Sequence, residues 1–170
     1  MPSFIPIAAL FIFPMLMAFA GASDLLTMRI TNKLVLLVAI GFFPVALVAG
    51  LPLETIGVHV ATALVVLAVT IGFFALGWIG GGDAKLIAAT TLWFGLTGLL
   101  PYLLYASLLG GALTLVLLAV RSRPLPLLLK QVTWIDRLHD TKTGVPYGIA
   151  LAAAAILLYP GSIVFQRLVG

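Results

Sequence analysis

A series of unbroken apolar runs, each close to twenty residues long, constrains this chain more than any other feature. A helix needs about 20 mainly apolar residues to cross the hydrocarbon core of a bilayer. Six stretches are read as such helices: Phe4–Ala22, Leu34–Leu51, Ile56–Ile79, Leu86–Leu99, Tyr102–Val120 and Val145–Val164. The fourth is short, and Gly98 and Pro101 divide it from the fifth. Strands of a membrane barrel alternate apolar and polar residues over about ten positions, and these runs do not. Of the 170 residues, 63% are apolar and 8% charged. Soluble domains carry roughly 25% charged residues, and disordered chains are polar and charge-rich. Both classes are excluded. The expected fold is all-α, a single polytopic membrane domain over residues 1–170 with about six transmembrane helices.

Lys and Arg then orient the spans. With the N-terminus outside, the cytoplasmic loops are 23–33, 80–85 and 121–144. They hold Arg29, Lys33, Lys85, Arg121, Arg123, Lys130, Arg137 and Lys142, leaving only Arg167 on the opposite side. That bias follows the positive-inside rule. Ala18-Phe19-Ala20 is similar to a signal-peptide cleavage site, but such a peptide carries a basic leading region, and the first basic residue is Arg29. The first span is therefore expected to be retained. The nine basic residues form no dense patch, so nucleic acid is not an expected partner; the lipid bilayer is.

With no cysteine, disulfides, thiolate metal sites and a cysteine nucleophile are ruled out. His59 and His139 stand apart with no ligand spacing, so neither a metal nor another cofactor is expected. His59, within the third span, reads as a core histidine whose ring finds a partner locally. Segment 124–142 carries Leu127, Leu128, Leu129, Val132, Trp134, Ile135 and Leu138 among charges, partly at helical spacing, as on an interfacial amphipathic helix.

Five acids remain to be placed. Glu54 falls in an external turn, and Asp136 and Asp140 lie among basic residues of the long loop. Asp24 directly follows the first span and Asp83 directly precedes the fourth. A charge near bilayer depth costs about 2.5–3.5 kcal/mol even on the lenient insertion scale. The topology puts both aspartates at one membrane boundary, where carboxyls on different helices can converge. Two adjacent carboxyls tend to share one proton. The ionised partner can deprotonate water while the protonated one polarises a carbonyl and protonates a leaving amine. Gly80, Gly81 and Gly82 before Asp83 are expected to adopt positive φ and to let another backbone approach closely. A second reading makes the same aspartates cation or proton sites of a small transporter. Helix capping, with Asp83 as an N-cap, is the ordinary alternative for an acid at a helix start.

Three segments resemble the type IV prepilin peptidases, membrane aspartic proteases bearing a Gly-x-Gly-Asp motif. The first runs from Asp24 through Arg29, Thr31 and Asn32 to Leu34, with Thr31 where a proline is commoner. The second is Gly80-Gly81-Gly82-Asp83-Ala84-Lys85-Leu86, and the third is Val145-Pro146-Tyr147-Gly148. The resemblance implies a leader peptidase with Asp24 and Asp83 as the catalytic pair. Gly80 and Gly82 are then motif glycines, and Lys85 orients or screens Asp83. Arg29, Asn32, Pro146, Tyr147 and Gly148 are supporting positions. The resemblance also implies pilin-like precursors as partners and the bacterial inner membrane as location, with the active site at its cytoplasmic face. The chain resembles the short form that accompanies tight-adherence (Flp) pili, which implies a peptidase without the methyltransferase region of larger members.

Overall fold

The computed structural model describes residues 4–170, with the side chains of all of these except Phe4 and Leu127. It is all-helical over those residues: α1 (Phe4–Thr27), α2 (Asn32–Val48), α3 (Leu53–Ala75), α4 (Gly81–Arg121), α5 (Leu127–Lys130), α6 (Thr133–His139), α7 (Tyr147–Leu158), a 3-10 turn (Tyr159–Gly161) and α8 (Ile163–Val169). Helices dominate because every backbone polar group in an apolar slab must find its partner inside the chain. Among the described residues, three helices are long and apolar enough to cross a bilayer: Ile5–Thr27, Leu53–Ala75 and Gly81–Arg121. The pair Tyr147–Gly161 and Ile163–Val169, bent by 48°, makes four if counted as one crossing. The 17-residue α2 is apolar but shorter. The chain is a multi-pass membrane protein.

Two of the element boundaries that differ from expectation matter for the site. Helix α1 continues to Thr27, so Asp24 lies in its last turns and not after it. Helix α4 begins at Gly81, which places Asp83 in its first turn, and the N-cap is Gly80. Asp83 is therefore not the capping residue.

The expected division at Gly98 and Pro101 falls instead at Gly95, whose φ of 61° and ψ of −164° are not helical. As one straight helix, 41 residues would reach about 60 Å, twice the roughly 30 Å hydrocarbon core. The chain folds back. Asp83 and Ile87 before the break line the same cavity as Leu103, Ala106 and Ser107 after it. In a straight helix Asp83 and Ala106 would stand roughly 35 Å apart. The rings of Phe94 and Tyr102 stack across the turn at 5.4 Å.

The break leaves the Leu92 carbonyl in need of a donor, and the buried His59 supplies it, Nδ1 to O 2.6 Å. His59 also stacks on Phe42 at 5.6 Å. This is the locally satisfied histidine read from the sequence. Around it lies the core, with Phe13 stacked on Trp93 at 4.6 Å. The Trp93 indole N–H donates to the Val38 carbonyl at 3.0 Å. Large apolar side chains such as Leu64, Val65, Leu115 and Leu118 stay exposed, the surface expected of helices solvated by lipid.

Segment 124–142 does not form one amphipathic helix. It is broken into α5 and α6, with Val132 in extended conformation before Thr133. Hydrogen bonds fold it back onto the bundle. Arg121 donates to the carbonyls of Leu138 and Gly144 at 2.8 and 2.9 Å, and Arg137 donates to the Leu26 carbonyl at 3.2 Å.

The φ/ψ region of Gly95 is essentially open only to glycine, and a Cβ there would stand 2.5 Å from Nε2 of His59. Gly95→Ala is expected to destabilise the detergent-solubilised protein by at least about 1–3 kcal/mol, read by thermal unfolding. The same substitution in a His59→Ala background should still destabilise, because the backbone strain remains after the clash is gone.

Candidate active site

Asp24 and Asp83 are 59 positions apart in sequence and line one cleft of about 450 Å³. The cleft also contains Met28, Arg29, Ile30, Thr31 and Asn32 from the α1–α2 connection, and Gly80, Gly81 and Gly82 from the entry to α4. The structure thus gathers two of the three sequence motifs on one side of the bundle.

The third motif reaches Asp24 from behind. The Gly148 N–H donates to Asp24 Oδ2 at 2.7 Å, across 124 residues of chain. Asp24 is only 6% exposed, and a buried carboxylate oxygen without a donor would be costly. The contact demands glycine. A Cβ on residue 148 would lie 2.8 Å from both the Cβ and Oδ2 of Asp24, and 2.9 Å from Cδ1 of Ile30. Pro146 is the N-cap of α7, so the chain enters this helix just where its backbone must meet the aspartate. Tyr147 points elsewhere: its hydroxyl meets Thr114 Oγ1 at 3.1 Å, and its ring packs on Gly110.

The three glycines before Asp83 do not adopt positive φ; the glycines that do are Gly50, Gly77 and Gly95. Gly80 is extended at φ −69° and ψ 144°. What the triplet provides is close approach. A Cβ on Gly80 would stand 2.8 Å from Asp83 Oδ2, one on Gly81 would stand 3.1 Å from the Phe74 ring, and one on Gly82 would stand 3.2 Å from Cβ of Ile30.

Ile30 is the functional neighbour that residue type did not reveal. It touches the Gly82 position on one side and the Gly148 position on the other, so one aliphatic side chain wedges between the helix carrying Asp83 and the helix that holds Asp24. Its backbone is fixed by a small polar knot. Met28 takes a left-handed φ of 55°, a conformation costing roughly 1–2 kcal/mol for an L-residue. The Ser23 hydroxyl donates to the Arg29 carbonyl at 3.0 Å and the Thr27 hydroxyl to the Ser23 carbonyl at 2.7 Å, and they hold the turn. Thr31 then caps α2, its Oγ1 accepting from the Leu34 N–H at 3.3 Å. Its φ of −74° suits proline equally well, which accounts for this departure from the commoner motif.

Lys85 is exposed and donates to Asn32 Oδ1 at 2.9 Å. Its ammonium clasps the start of α4 to the start of α2, and this hydrogen bond goes to Asn32, not to Asp83. Arg29 is exposed on the cleft wall. Among the described residues, no group of three or more His, Cys, Asp or Glu gathers as a metal would need.

A polytopic helical protein with two carboxyls in one cleft, each fitted by glycine, matches a known description. The model of the type IV leader peptidase family fits residues 11–115, and the chain belongs to that family. The matched stretch holds both aspartates and the glycine triplet but ends before Pro146. Membership makes the protein peptidase-like and lends no support to the transport reading. No curated protein and no solved structure is significantly similar to the chain.

Gly148→Ala is expected to push the Asp24 carboxylate aside and lower peptidase activity about 10²-fold, the cost of a displacement near 1 Å at a reacting group. Gly111→Ala is the control: its Cβ meets nothing within 4 Å. It should leave the activity unchanged and add up to about 1 kcal/mol of stability through helix propensity. A cleavage assay beside a thermal melt reads both.

Proposed function

We propose that this chain is a membrane aspartic endopeptidase that removes the N-terminal leader from pilin-like precursors, with Asp24 and Asp83 as its acid–base pair. The observation that supports the reading is the shared cleft, which Asp24 and Asp83 both line from the ends of helices in different parts of the chain. In the proposed reaction one aspartate is ionised and takes a proton from water. The hydroxide adds to the scissile carbonyl carbon, which the protonated aspartate polarises. That second proton then passes to the leaving amine as the C–N bond breaks. Neither step asks for a cofactor.

The proposed topology keeps six crossings, made by α1, α2, α3, the two arms of α4, and α7 with its bent continuation. All 170 residues then act as one peptidase domain. In support, the three loops that carry eight of the nine Lys and Arg residues gather where the cleft lies. Lys85 contacts Asn32, Arg137 contacts Leu26 and Arg121 contacts Gly144. Under the positive-inside rule that end is cytoplasmic and the N-terminus is outside, in a bacterial inner membrane. A precursor with a polar leader and an apolar helix would present its junction at this depth.

The test is cleavage of a co-expressed Flp-type prepilin, read by gel shift and N-terminal sequencing, with membrane levels checked by blot. Wild type should cut at the leader boundary. Asp24→Asn and Asp83→Asn should each lose about 10²–10⁴-fold in rate, the contribution expected of a general acid or base. Full cleavage by either variant would overturn the paired mechanism.

A further inference from the structure

Asp83 belongs to two cavities at once. Besides the cleft it shares with Asp24, it lines a larger cavity of about 630 Å³, and Gly80 borders both. The walls of the two differ in kind. The cleft presents Asp24, Arg29, Thr31 and Asn32 beside Met28, Ile30 and bare glycine backbone. The second cavity is formed by Trp78, Ile79, Ile87, Leu103, Ala106 and Leu151, and Asp83 is its one charged residue. Of its other polar side chains, Ser107 donates to the Leu103 carbonyl at 2.7 Å, and the Tyr147 hydroxyl meets Thr114.

This groove exists because α4 reverses at Gly95. The reversal brings the second arm of α4 beside Asp83, and Ala106 leaves room where a larger side chain would fill the space. Trp78 is 70% exposed at the edge, on the α3–α4 connection. The charged and amide side chains of the site therefore lie on the Asp24 side, and the α4–α7 side is built mainly from aliphatic ones, with Asp83 common to both.

We infer that the second cavity is the binding groove for the apolar segment that follows the scissile bond, while the polar cleft receives the leader side. The inference rests on the proposed peptidase function and adds to it the direction in which the substrate lies. Continuity carries it: a chain threaded past Asp83 must occupy both cavities, and a precursor that changes from polar to apolar at its cut matches that change in only one direction. The reverse direction would bury leader charges against Leu103, Ala106 and Leu151, and unpaired charges are costly in such surroundings.

Because the chain has no cysteine, single introduced thiols report single contacts. Ser107→Cys in the groove and Arg29→Cys in the cleft are each placed in the full-length Asp83→Asn protein. Each is co-expressed with the uncut prepilin carrying one cysteine either shortly before or shortly after the junction, and oxidised in membranes. Ser107→Cys should link to the cysteine after the junction and Arg29→Cys to the one before it. As a second measurement, Ala106→Leu in the otherwise native enzyme should raise KM about tenfold with little change in kcat, the pattern of lost substrate binding. Smaller side chains early in the apolar segment should restore KM. Reversed linkage, or none to Ser107 alongside an unchanged KM in Ala106→Leu, overturns the inference while wild-type cleavage leaves the peptidase reading standing. Failure of the wild-type enzyme to cut any prepilin overturns that reading and the inference with it.

Discussion

The candidate site depends on one hydrogen bond, from the Gly148 N–H to Asp24 at 2.7 Å. It satisfies a buried carboxylate oxygen and fixes the distance between α1 and α7, because it forms only if residue 148 lacks a Cβ. Once those helices are set, Ile30 has a defined gap to fill, and its other face meets Gly82. The position of Asp83 relative to Asp24 thus follows from two glycines and one isoleucine. A direct link between the acids is not needed to bring them to one cleft. Lys85 closes the same unit from the far side by holding Asn32.

A second constraint acts deeper in the bundle. Lipid offers no hydrogen bonds, so a helix that breaks there must have its freed groups satisfied by protein. At Gly95 that is done by His59 on the Leu92 carbonyl. The histidine and the glycine depend on each other, because the ring occupies the space a side chain at position 95 would take. Their joint effect is felt at a distance. By reversing α4 they return Ala106 and Ser107 to the level of Asp83, and so create the apolar cavity beside the carboxyl.

The parts legible in the sequence were those whose chemistry is visible in residue type. Asp24 and Asp83 stand out because acids are rare in apolar chains, and the glycine triplet and Pro146-Tyr147-Gly148 stand out by motif. What the triplet does was not legible. Positive φ and close approach leave the same residue in the sequence, and only packing against Phe74 and Ile30 separates them. Ile30 carries no chemical signal at all, being one aliphatic residue among many. Gly95 was hidden by Gly98 and Pro101, which are stronger helix-breaking signals yet lie inside the second arm of α4. The loop helix failed because helical spacing of apolar residues does not impose continuity: α5 is a single turn, and α6 is held by side chains of Arg121 and Arg137.

The charge pattern can then be read as part of the site and not only as an orientation signal. Arg121 donates to the Leu138 and Gly144 carbonyls and the Thr143 hydroxyl, Arg137 to the Leu26 carbonyl, and Lys85 to the Asn32 side-chain oxygen. The two arginines satisfy backbone carbonyls that would otherwise have to find water at a membrane boundary. The same cations that favour one orientation therefore stitch together the three connections that carry the motifs. This removes a conflict that a leader peptidase would face under the proposed function. A site cutting at a polar–apolar junction needs water at its carboxyls and lipid a few ångströms away. Backbone that is held by long basic side chains, with their heads toward the aqueous edge, can border both without leaving its own polar groups unpaired.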